Sequence, residues 1–198
     1  MYIKTEETPN PNSVKFIPNR SISPESPIYF KKATDADNTF LGRKLFLIEG
    51  VESVFYGRDF ITVTKKDSSS WEIIKREIVI CIMDHFSSGL DVFDEIPNKE
   101  KDFKSSTRSN VDGYIKSNKL YSDIEKQIID LIDHKVRPSV AMDGGDIAYK
   151  GFEDGIVKLE LRGACSGCPS STITLKNGIE AMLKHYVPEV TSVEAYEE

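Results

Sequence analysis

Cysteine is scarce in this chain: three residues among 198, an odd number that builds no disulfide framework. A surplus of positive charge is also missing, because 26 Lys and Arg face 32 Asp and Glu for a net charge of -6. Neither nucleic acid nor an anionic membrane surface is therefore an expected partner. Long apolar runs are absent too. The longest, Ile78-Val79-Ile80-Cys81-Ile82-Met83, falls far short of the roughly 18–20 residues that cross a bilayer. Nor is there a Walker loop, a dinucleotide fingerprint or a recognisable Ser/His/Asp set, so the expectation is a protein that turns over no substrate. Met1-Tyr2-Ile3-Lys4-Thr5-Glu6-Glu7-Thr8-Pro9 carries no apolar signal core and is acidic. That composition predicts a reducing compartment, a bacterial cytoplasm, with a processed mitochondrial matrix form as the alternative.

What is present divides the chain in three. Residues 97–119 are rich in Ser, Asn and Lys, lack either apolar period and carry six basic against three acidic side chains; they read as a solvated linker. Residues 1–96 read as a compact α+β domain. Two short strands, Tyr2 to Thr5 and Val14 to Ile17, flank the turn cluster Thr8-Pro9-Asn10-Pro11-Asn12. After a stretch with three prolines, Asn38 is placed to cap a short helix carrying Phe40, Leu41 and Leu45, which ends at Gly50. Val51 to Tyr56 and Phe60 to Thr64 form a hairpin. From Ser70, a helix sets Trp71, Ile74, Ile78, Cys81, Ile82 and Phe86 on one stripe, making Cys81 a core residue rather than a ligand.

Residues 120–198 repeat the α+β class with a different order. Ser122-Asp123-Ile124-Glu125 is a capping box opening a helix that is expected to stop before Pro138. Asp143-Gly144-Gly145-Asp146 reads as a turn into a short strand, and Glu153-Asp154-Gly155 turns that strand into Ile156 to Leu161. A cysteine loop follows, then a helix from Pro169 that halts at Pro188, and a last strand near Val190 to Val193. The whole is two small domains, each a short mixed or antiparallel sheet packed with helices.

The chemistry sits at Gly163-Ala164-Cys165-Ser166-Gly167-Cys168-Pro169. Cysteines three apart on a glycine-bounded loop can direct both sulfurs at one centre, and Cys168 directly before a helix start favours thiolate. Fully thiolate-ligated iron–sulfur clusters and closed zinc sites need about four protein ligands, and this loop supplies two. His185, 17 residues beyond Cys168 on the same helix, should stand roughly 25 Å away at 1.5 Å per residue. His85 belongs to the first domain and His134 to another helix. Two copies meeting about a two-fold axis would complete the set, so the expectation is a homodimer bridged by a cluster held through Cys165 and Cys168. A cluster so exposed is open to exchange, which suits delivery. A thiol–disulfide oxidoreductase and a zinc-stapled dimeric interaction module share the local signal and stay as alternatives. Arg162 is a candidate for biasing the thiolates; the Asp143-to-Asp146 acids need no metal to explain them.

The run Arg137-Pro138-Ser139-Val140-Ala141-Met142-Asp143-Gly144-Gly145-Asp146, with Gly163 to Ser171, resembles the NifU C-terminal domain family. Residues 1 to about 92, with Thr8-Pro9-Asn10-Pro11-Asn12 and Phe40-Leu41-Gly42, resemble the N-terminal domain of Nfu-type proteins. The resemblance implies an iron–sulfur cluster carrier, usually of the [4Fe-4S] type, with Cys165 and Cys168 as ligands. It would receive the cluster from an upstream donor and pass it to client apo-proteins. Separate cluster assembly is a weaker implication, since the cysteine-bearing scaffold domain of longer relatives is not in this sequence. The first domain, without chemistry of its own, is left to recipient recognition or to positioning the carrier domain.

Overall fold

A computed structural model describes residues 2–23, 26–93, 122–166 and 169–196. The linker at 97–119, and Cys168 with it, lie outside the described residues.

The first domain is a five-stranded antiparallel sheet made from β1 (Lys4–Glu7), β2 (Ser13–Ile17), β3 (Ile28–Phe30), β4 (Val51–Tyr56) and β5 (Ile61–Lys65), in the order β1-β2-β5-β4-β3. Two helices, α1 (Phe40–Phe46) and α2 (Trp71–Ser87), bury their apolar stripes against it. Alternation decides the faces: Phe16, Val54, Tyr56, Ile61 and Val63 join Leu41, Leu45, Ile74, Ile78 and Ile82 in one core. Thr62 and Thr64, which point the other way along β5, are buried as well. Something covers that second face, and β7 of the other domain packs against β4 and β5.

Several expected elements shift. The first strand starts at Lys4 rather than Tyr2, whose side chain is exposed. The cap of α1 is Thr39, not Asn38: its Oγ1 accepts from the Gly42 N–H at 2.7 Å. Ser70 caps α2 as expected, and Cys81 packs partly buried against the core. The proline-bearing stretch holds β3 and a 3-10 turn at Ala33–Ala36, neither foreseen.

The second domain opens with α3 (Asp123–Leu131), whose Ser122–Glu125 capping box forms on both sides. The helix does not stop before Pro138. It widens into a π turn at Ile132–Val136 and resumes as α4 (Arg137–Met142), with Pro138 in the first turn of the resumed helix. The sheet orders β6 (Gly145–Glu153), β7 (Ile156–Gly163) and β8 (Ser192–Ala195) as β6-β7-β8. β6 and β7 form an antiparallel hairpin through Asp154 and Gly155, both at positive φ. β8 lies parallel to β7 after the crossover through α5 (Pro169–Tyr186). Ile128, Ile132, Val140, Ile147, Val157, Leu183 and Val193 form the core, and Cys165 belongs to it.

Candidate functional site

Cys165 sits where β7 ends. Gly163, at φ +64, turns the chain, Ser166 N–H donates to Gly163 O at 3.1 Å, and Ala164 N–H donates across to Gly144 O at 3.2 Å. The sulfur faces inward: a Cβ on Gly145 would lie 2.5 Å from Cys165 Sγ, so only glycine leaves it room. Cys165 is 8% exposed. Burial pushes its thiol up to about 12, and the nearby carboxylates of Asp143 and Asp146 push the same way. Apolar surroundings and acidic neighbours thus favour the thiol at Cys165, whereas the thiolate expected from the helix start belongs to the other cysteine of the pair. Cys168 lies outside the described residues.

The acids of the Asp143-to-Asp146 segment have structural work. Asp146 is buried and meets Arg137, Nε to Oδ1 at 3.1 Å; its pKa is raised because burial outweighs the attraction of Arg137. Arg137 also pairs with Asp133 at 2.9 Å and donates to Ile147 O at 2.8 Å, fastening α4 to β6. Arg162 turns toward Glu160, donating through Nε at 2.9 Å and Nη2 at 2.7 Å, rather than toward the cysteine turn. Burial acts to raise the Glu160 pKa, but Arg162 and Lys150 overcome it and hold the carboxyl low.

Sequence reasoning missed that the first domain reaches this turn. Thr62 Oγ1 donates to Gly144 O at 2.7 Å, and Asn10 Nδ2 donates to Ser166 O at 3.2 Å. Lys15 Nζ donates to Ala141 O and Met142 O at 3.2 and 3.3 Å. The one hint was the Thr8-to-Asn12 motif, which local turn propensity explained without any partner. None of the histidines stands at the turn: His85 is buried at the end of α2, His134 pairs with Asp130 at 3.1 Å, and His185 lies against Tyr186. Among the described residues no three His, Cys, Asp or Glu side chains gather as a metal site. Cys165 is therefore at most part of a ligand set.

Residues 3–89 match the family described as scaffold protein Nfu/NifU N terminal, and residues 128–194 match the NifU-like domain. A human protein named NFU1 iron-sulfur cluster scaffold homolog, mitochondrial, is 46% identical over 98% of this chain, which spans 71% of that protein. The chain belongs to the Nfu family. The Drosophila erecta Nfu protein of the same name is 42% identical over 98% of the chain, which spans 64% of its length. A solution structure of a NifU-like protein from Saccharomyces cerevisiae superposes with a TM-score of 0.44 at 30% identity, covering 48% of this chain and 86% of that one. The two Nfu family matches fall on the two sheet domains and leave residues 90–127 between them unmatched.

Proposed function

We propose that this protein is an iron–sulfur cluster carrier. Two copies hold one [4Fe-4S] cluster between them, each contributing Cys165 and Cys168, accept it from an upstream donor and release it to client apo-proteins. The observation that carries the reading is the half-set of thiolate ligands: a Cys-x-x-Cys turn at the end of β7 offers two sulfurs per chain. It stands in a family whose relatives are named as iron–sulfur cluster scaffolds. Four thiolates are the ordinary complement of such a cluster, and a two-fold axis supplies them from two turns. The work is carriage rather than catalysis, and the relatives' names support a mitochondrial setting over a bacterial cytoplasm.

Anaerobic reconstitution with iron and sulfide tests this, read by visible absorption, Mössbauer spectra and mass under native conditions. The expected product is brown, with one cluster per two chains. Cys165→Ser and Cys168→Ser abolish it, while Cys81→Ser, in the core of the other domain, retains it. A colourless zinc dimer, or a cluster held by one chain alone, overturns the proposal.

A further inference from the structure

Four hydrogen bonds run from the first domain to the cysteine turn and to the segment between α4 and β6 that packs on it. Side chains of the first domain donate, and backbone carbonyls of the second accept: Thr62 to Gly144, Asn10 to Ser166, Lys15 to Ala141 and Met142. Thr62 is 1% exposed and Asn10 is 4% exposed. The donor end of Asn10 is aimed by its own turn, since its Oδ1 accepts from Asn12 N–H at 2.9 Å. Two glycines admit the approach. A Cβ at Gly144 would lie 2.9 Å from Thr62 Oγ1, and one at Gly163 would lie 3.0 Å from Phe55 Cγ. Farther along β7, Lys31 of the first domain pairs with Glu160 at 3.4 Å.

These contacts bracket Cys165. Gly163 stands two residues before it under Phe55, and Ser166 follows it under Asn10, while the sulfur points inward past Gly145. A sulfur shared with a second copy has to face outward, so the turn must move, and its backbone is held by the other domain of the same chain. We propose that the N-terminal domain is an intramolecular cap on the cysteine turn, so that the monomer withholds Cys165 and undocking releases it to meet a second copy. The purpose of the cap rests on the carrier reading above, but its existence is a property of the chain without any cluster.

The test uses the reduced full-length chain. Iodoacetamide labels it, peptide mass spectrometry follows Cys165 site by site, and Cys81 serves as the reference for an intact first domain. Thr62→Val removes one donor without changing shape. Asn10→Asp keeps the acceptor for Asn12 N–H but sets a carboxylate against the Ser166 carbonyl. Labelling through a docked–undocked equilibrium tracks the undocked fraction. Loss of about one hydrogen bond should therefore raise the Cys165 rate about tenfold in Thr62→Val, and at least as much in Asn10→Asp, with Cys81 unchanged. Carbodiimide, which joins an amine to a carboxylate in direct contact, should couple Lys31 to Glu160 in a product of monomer mass. Unchanged Cys165 labelling in both variants overturns the cap, as does coupling found only at dimer mass. A chain that takes up no cluster yet shows both effects keeps the cap and discards the carrier reading.

Discussion

Arg137→Met tests what holds the seat of the cysteine turn together. Arg137 meets Asp133, whose side chain is 40% exposed, Asp146, 3% exposed, and the Ile147 carbonyl. The pair with Asp133 is worth at most about 1 kcal/mol, being open to solvent. Asp146 is different, because removing the cation leaves a buried carboxylate with only the Ile147 backbone and the charge of Arg162 to favour it, a loss of up to about 3–5 kcal/mol. The lost donor to Ile147 overlaps with that figure rather than adding to it. The carboxyl has one escape, which is to take up a proton. Its pKa is already raised with Arg137 present. A raised carboxyl favours folding below its unfolded value, about 3.9, and the benefit fades as pH rises through the folded value. The Arg137→Met deficit should accordingly reach up to about 3–5 kcal/mol at pH 7.5 and shrink toward pH 5.5, by up to about 1.4 kcal/mol per pH unit. Adding Asp146→Asn to Arg137→Met should recover part of it. Urea melts followed by far-UV circular dichroism measure the effect, and the lone Trp71, in α2, reports the first domain separately by fluorescence. A deficit that stays the same at both pH values, or one below about 0.5 kcal/mol, would refute the assignment of Arg137 as the counter-ion of Asp146.

His85, fully buried against Phe86, has its pKa lowered by burial and by the charge of Lys44. It stays neutral while the unfolded chain protonates near pH 6.5, so stability present above that value is lost as pH falls through it. Trp71 fluorescence melts at pH 7.5 and 5.5 should show this slope in the native chain and a flatter one in His85→Leu; equal slopes would remove His85 as the cause. Thr39 is buried, caps α1 through Gly42 and lies 3.3 Å from the Tyr56 hydroxyl. Thr39→Ala should cost about 1–2 kcal/mol in thermal melts and Thr39→Ser clearly less, whereas equal losses would point to the methyl group instead of the cap.

The legible parts of the fold are those fixed by local chemistry. The stripe of α2, its Ser70 cap, the Ser122–Glu125 box and the Asp154-Gly155 hairpin each depend on residues within one or two turns of one another. The missed parts depend on distant partners. β3 is three residues long beside Pro27 and exists because Ile28 to Phe30 pair with Tyr56 to Val54. Pro138 signals a helix end by its missing N–H, yet the π turn before it shifts the hydrogen-bonding frame and the chain runs on to Met142. At the candidate site, the spacing of Cys165 and Cys168 was visible, but the protonated, inward state of Cys165 was not. Its causes, Gly145, Asp143 and Asp146, lie about twenty residues upstream and arrive only when β6 pairs with β7.

That pairing also explains the Asp143-Gly144-Gly145-Asp146 segment, which has no ligand role in the sequence reading. Its two glycines serve opposite neighbours. Gly144, at φ +82, yields its Cβ space to Thr62 of the first domain, and Gly145 yields its own to the sulfur of Cys165. Asp146 then ties the segment to α4 through Arg137, while Asp143 adds negative charge that disfavours a thiolate so placed. One four-residue turn therefore holds the sulfur in and receives the domain that covers it. A side chain at 145 would evict the sulfur and one at 144 would press on Thr62, so glycine at both positions follows from where Cys165 and the first domain rest before any cluster arrives.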